Sequence, residues 1–118
     1  MGLFEVNVTV ANPARPEPSI ELALLVDTGS TLSWLPRQLL ESLGLRPLSR
    51  SRFILADGRR VGRDTGVVLL TLNGITMGVP VAFAEAGEGS VLGATSLETL
   101  GFWVDPVERK LIPREFRA

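Results

Sequence analysis

The segment that most constrains this chain is Ile20-Glu21-Leu22-Ala23-Leu24-Leu25-Val26, followed at once by Asp27-Thr28-Gly29-Ser30-Thr31. The apolar run is long enough for one strand and too short for an ordinary helix. Gly29 then breaks it and supplies a tight turn in which the backbone can approach another chain or a ligand. Asp27 is thereby set at the end of a buried strand. A carboxylate there is costly to desolvate unless it is hydrogen-bonded or shares a proton with a neighbour.

Composition narrows the chemistry that this carboxylate can serve. The 118 residues include no histidine and no cysteine. Ser-His-Asp and Cys-His catalysis are therefore excluded, as are disulfides and zinc sites built on His or Cys. A Ser-Lys dyad would have to use Lys110, in a charged segment near the C-terminus. Hydrolysis at neutral or acid pH falls to carboxylates. A net charge of −1 argues against a nucleic-acid or anionic-membrane partner. No apolar run is long enough to span a membrane, and no basic-then-apolar leader is visible, so a cytoplasmic protein is expected. The length suits one domain over 1–118, and no cofactor or metal is expected.

Along the chain, Phe4, Val6, Val8 and Val10 alternate with Glu5, Asn7 and Thr9, the period of a half-buried strand. Asn12 to Pro18 reads as a proline-rich loop that no ladder could absorb. After the Asp27 turn come a short extended piece over Thr31 to Leu35 and a helix from Pro36 to Leu43, with Gly44 as its C-terminal cap. Asp57-Gly58 and Asn73-Gly74 each lie between apolar flanks and signal hairpins. Glu85 to Gly89 is an acidic loop. A short strand over Ser90 to Gly93 leads into a helix over Ala94 to Leu100. Phe102 to Val104 and Lys110 to Ile112 are strands around a turn, and Arg114 to Ala118 form a polar tail. The segments around Asp27 and Gly93 form a weak internal repeat of strand, glycine turn and helix.

Asp27-Thr28-Gly29-Ser30 with its apolar lead-in resembles the active-site signature of aspartic proteases, and Trp34-Leu35-Pro36 is similar to the pepsin-type continuation. Ser90-Val91-Leu92-Gly93 and the helix after it resemble the second half of a retroviral-like protease monomer. On these residues the chain is similar to the retropepsin-type family, in a bacterial-style single-domain form, from about Phe4 to Pro113. The resemblance implies an all-β fold, a retropepsin-like acid protease half-barrel with one or two short helices, forming a two-fold dimer. It also implies a peptide or protein substrate.

Such chemistry needs two carboxylates sharing a proton and holding a water. Asp64-Thr65-Gly66 repeats the letters but follows the polar Val61-Gly62-Arg63, without the apolar lead-in, and is read as non-catalytic. The second carboxylate then comes from Asp27 of a second copy at the two-fold axis. The resemblance assigns Asp27 as acid and base, and Thr28 as a brace across the axis. Gly29 allows close backbone approach, and Ser30 donates to the carboxylate. It casts Ala56, Asp57, Gly58 and Arg59 as the tip of a mobile substrate-covering flap. Trp34 is read as core. Phe4 to Val10 and Lys110 to Pro113 are expected to pair across the axis. Two other readings stand beside this one: a catalytically weak peptide-binding or interaction module on the same dimeric fold, and a phosphorylated Asp27. The second lacks the lysine and the further acidic motif that such chemistry needs.

Overall fold

The computed structural model describes residues 2–118, so the domain boundary expected at Met1 lies outside the described residues. The first half runs β1 (Gly2–Asn12), β2 (Arg15–Asp27), β3 (Ser33–Pro36), α1 (Arg37–Ser42) and β4 (Ser49–Ile54). The second runs β5 (Arg60–Leu72), β6 (Ile75–Ala84), β7 (Val91–Leu92), α2 (Ala94–Leu100), β8 (Phe102–Asp105) and β9 (Lys110–Pro113). The fold is all-β with two short helices, as expected.

Seven strands form one sheet in the order β1-β2-β7-β3-β6-β5-β4, and β8 pairs with β9 in a second, two-stranded sheet. The expected half-barrel goes further towards closure. Thr9, Val10 and Ala11 of β1 pair with Thr71, Leu70 and Leu69 of β5, which joins the two sides of the sheet and leaves β4 outside the ring. Closure removes edges that would otherwise be open to other chains.

Period-two burial follows from the pleat. Val8 and Val10 of β1, Leu24 and Val26 of β2, Val68, Leu70 and Leu72 of β5, and Val79, Val81 and Phe83 of β6 fill the interior. Leu40 of α1 and Leu97 and Leu100 of α2 seal it. Asn73 and Gly74 both have positive φ, 51° and 81°, as a two-residue turn with right-handed strand twist requires.

Two expectations need correction. Asn12 to Pro18 is not a loop: Pro13-Ala14 alone turn the chain, and Arg15–Asp27 is strand. The prolines are tolerated because the register jumps from Asn12↔Arg15 to Val10↔Ile20, so Pro16 and Pro18 sit in a bulge where no N–H is needed. Pro36 is the N-cap of α1 rather than part of it. Within the chain Phe4 to Val10 pairs with β2 on one side and Lys110–Pro113 pairs with β8, which leaves the other edge of β9 open to a partner.

Candidate active site

Leu25 and Val26, at the end of β2, run parallel to Val91 and Leu92, and Trp34 of β3 pairs with Val91 from the other side. The Asp27 turn therefore emerges between two buried strands. Its carboxylate is oriented locally: Oδ1 accepts from the Gly29 N–H at 3.0 Å, and the Asp27 carbonyl accepts from the Ser30 N–H at 3.2 Å. An Asp side chain bonded two residues onward is a turn in its own right, and glycine leaves its amide unobstructed.

The turn is clamped from behind by α2. The Ala94 and Thr95 amides, unsatisfied within a first helical turn, donate to the carbonyls of Ser30 at 2.8 Å and Thr31 at 3.0 Å. Beneath them Gly93 N–H donates to Ser33 Oγ at 3.0 Å, and Ser33 Oγ meets Ser96 Oγ at 2.6 Å in a fully buried pair. The repeat seen in the sequence is thus a physical unit, in which each glycine turn packs on the other.

A cleft of about 800 Å³ opens over Asp27. Gly29, Ser30, Thr31 and Trp34 line it from below. Arg52 to Ala56 and Arg59 line it from the β4–β5 hairpin, and Glu88, Gly89 and Val91 line it from the side. Of the expected flap residues, Ala56 and Arg59 face this cleft, while Asp57 and Gly58 form the exposed tip beyond its lining. The tip is held within itself. Asp57 Oδ1 accepts the Arg59 N–H at 3.0 Å and Oδ2 accepts Arg59 Nε at 2.7 Å, and these bonds hold the Asp57 carboxyl below its ordinary range.

Trp34 is not core. It is half-buried, lines the cleft and meets Phe53 edge-on, with ring centroids 5.0 Å apart and planes at 67°. Ser30 also departs from its expected role. Its hydroxyl proton goes to the Leu32 carbonyl at 2.7 Å, the short-range backbone bond available to any serine in such a turn. Thr28 lines a different cavity, an apolar groove of about 570 Å³ with Leu3, Leu97, Phe102 and Trp103. At its rim Arg114 stacks on Trp103, 4.9 Å from the ring centroid, and its buried Nε has no hydrogen-bond partner among the described residues.

The repeated Asp64-Thr65-Gly66 lies within β5, and Asp64 is occupied by cations. Arg37 Nη2 stands 2.6 Å from Oδ2 and Arg50 Nη1 3.2 Å from Oδ1, so its carboxyl titrates below the usual range, chiefly through Arg37. Arg37 also binds Glu85 at 2.9 Å and lies over Phe83, and these carboxylates raise its own pKa. Glu88 is held by Arg63 through both carboxylate oxygens, which lowers its pKa. The Glu85 N–H donates to the same carboxylate at 2.7 Å.

Sequence reasoning missed Arg52, Phe53, Glu88 and Val91 as cleft residues. Phe53 was within reach, because it flanks the Asp57-Gly58 hairpin on the strand leading into it. Nothing local links Arg63 to Glu88, which are 25 positions apart.

Residues 6–96 match the sequence model of the family described as aspartyl protease. Among solved structures, the fold is similar to the solution structure of simian foamy virus (mac) protease. The TM-score is 0.57 at 15% identity, over 80% of this chain and 92% of that one. At that identity the likeness is one of fold alone. No curated protein matches the sequence. No helix among the described residues is long and apolar enough to cross a membrane.

Proposed function

This chain belongs to the aspartyl protease family, and from that premise we propose that it is a homodimeric aspartic endopeptidase whose site joins Asp27 of two copies. The observation that carries this reading is the cleft itself. One space is bounded by the Asp27 turn and, from sequence positions more than 20 residues later, by the Leu55–Arg59 hairpin loop. That is the arrangement needed to hold an extended peptide over a carboxylate and keep water away from it.

Among the described residues, Glu88 is the other carboxylate lining the cleft, and Arg63 holds it. In this reading a second copy supplies the second catalytic carboxylate. Its approach is favoured by the groove beside Thr28, where the large apolar Trp103 is 60% exposed. A two-fold axis past Thr28 would bring the two Asp27 turns together.

In that site the two carboxylates share one proton, because like charges so close do not both ionise. The ionised Asp27 takes a proton from water as the water oxygen bonds to the peptide carbonyl carbon. The protonated Asp27 hydrogen-bonds the carbonyl oxygen as charge develops on it. Proton return to the amide nitrogen then breaks the C–N bond. Gly29 fixes the carboxylate through its amide, and the hairpin loop closes over the peptide.

Cleavage of a mixed peptide library by wild type and Asp27→Asn, with and without a statine-type inhibitor, tests the reading. Turnover should fall at least about 100-fold in the variant. Peptide binding with no rate difference between the two proteins would leave a non-catalytic peptide-binding module instead.

A further inference from the structure

Four charged residues line the cleft: Asp27, Arg52, Arg59 and Glu88. Two of them are neutralised within the chain. Glu88 is gripped by Arg63, and Arg59 by Asp57 at 2.7 Å. The other arginine of β4, Arg50, is also committed, to Asp64 at 3.2 Å and to the Gly62 carbonyl at 3.0 Å.

Arg52 is different. It is exposed, and no ion pair or hydrogen bond joins its guanidinium to a carboxylate among the described residues. Directly across the ladder stands Gly62, which has no side chain to offer. The space above that glycine is taken by the Arg50 guanidinium, since a Cβ at Gly62 would stand 3.0 Å from Arg50 Nε. A carboxylate from outside the chain therefore meets an Arg52 guanidinium not already bonded to one among the described residues. Next to it Ile54, also in the cleft lining, is 70% exposed.

We propose that Arg52 makes this cleft select peptides with a carboxylate side chain near the scissile bond, next to an apolar residue that covers Ile54. The inference rests on the peptidase reading and names its substrate class. A guanidinium presents a rigid fork of donors that matches a carboxylate in plane, which an amide does not reproduce. A peptide's C-terminal carboxylate has the same chemistry, so free and amidated peptides must be compared.

The test uses amidated, fluorescence-quenched peptides from a cleaved sequence, with Glu, Gln or Lys placed in turn at each of the residues flanking the scissile bond. At pH 6 the Glu side chain is ionised. At one position kcat/KM should be about fivefold higher for Glu than for Gln, the upper range for an exposed ion pair, and lower again for Lys. The preference should shrink at high salt, and Arg52→Glu, shown folded by circular dichroism, should reverse the Glu-over-Lys order. Equal rates for Glu, Gln and Lys at every position would overturn the inference and leave the peptidase reading standing. A preference present only with a free C-terminus would overturn it too. If no peptide is cut, the peptidase reading fails, and the same peptides are titrated against wild type and Arg52→Glu by fluorescence anisotropy. Tighter binding of the Glu peptide, reversed by the variant, would then support carboxylate selection, and equal binding would defeat it.

Discussion

Gly93 packs directly against the backbone of Leu32: a methyl group on Gly93 would overlap the Leu32 carbonyl and stand 2.8 Å from that of Ser30. The Ser30 carbonyl is tied down by the Ala94 amide and the Leu32 carbonyl by the Ser30 hydroxyl, so neither rotates away freely. This approach sets the distance between the α2 turn and the Asp27 turn.

Gly93→Ala should therefore destabilise the protein by about 2–3 kcal/mol, the cost of overpacking a rigid site. It should also lower cleavage more than the loss of folded protein explains, because the Asp27 turn must shift. Calorimetry and rates measured on the folded fraction check both. An unchanged melting temperature would mean that the two turns can separate freely.

The proposed dimer has its own prediction. Trp103→Glu places a charge on the exposed apolar rim of the Thr28 groove, outside the cleft lining. Dimerisation measured by sedimentation should weaken more than tenfold, as for loss of a buried aromatic anchor. Mixed dimers carrying one Asp27→Asn copy should be nearly inactive, since the proposed site needs both carboxylates. Full activity in a monomer at working concentration would remove the two-copy site.

The Arg63–Glu88 pair gives a stability prediction with a definite sign. Both side chains are largely sheltered, at 17% and 23% exposure, and the Glu88 pKa is lowered chiefly by Arg63. A depressed carboxyl contributes stability above its unfolded pKa, near 4.3, and loses it as the pH falls through the lower folded value. Glu88→Gln should thus cost about 1–2 kcal/mol near pH 6 and progressively less below pH 4. Denaturant melts of both proteins across that range check it. A gap that widens in acid would contradict the assignment.

The hairpin tip should exchange its amide protons readily without ligand. Gly58 N–H bonds only to the Leu55 carbonyl at 2.9 Å, and Asp57, Gly58 and Arg59 are all exposed. A bound statine-type inhibitor should slow exchange there. Equal protection with and without it would count against a covering role.

What was legible in the sequence was short-range. Asp27 to Gly29, Asn73-Gly74 and Asp57-Gly58 carry their geometry in two or three neighbouring residues, and the structure has turns at each. Alternation along β1 put Phe4, Val6, Val8 and Val10 on one face; Phe4, Val8 and Val10 are core, and Val6 packs against it partly buried. The barrel closure was not legible, because Thr9 to Ala11 meets Leu69 to Thr71 about 60 positions on, and any apolar strand could have competed for that edge. Pro16 and Pro18 misled for a related reason. Proline forbids a ladder bond at its own nitrogen, whereas a bulge removes the need for that bond. Trp34 looked like core because size favours burial, but its place opposite Val91 at the mouth of the Asp27 turn leaves one side open to the cleft.

Ser30 shows the same limit at the scale of a single proton, and it sets the last prediction. The aspartic protease resemblance makes its hydroxyl a donor to the carboxylate, which would lower the pKa at which the dyad loses its first proton. Under that arrangement Ser30→Ala would move the acid limb of the rate profile towards neutral. In the structure the proton is directed to the Leu32 carbonyl at 2.7 Å, and a hydroxyl has only one to give. Removing it takes no donor away from the anion. It leaves the Leu32 carbonyl, which also faces Gly93, short of a partner. Ser30→Ala should then cost about 1 kcal/mol of stability, one ordinary hydrogen bond. The acid limb of kcat/KM should stay within about 0.3 pH units of wild type, since a full pKa unit would need about 1.4 kcal/mol of selective interaction with the charged form. A neutral-going shift of a whole unit with unchanged stability would instead put the hydroxyl on the carboxylate during catalysis.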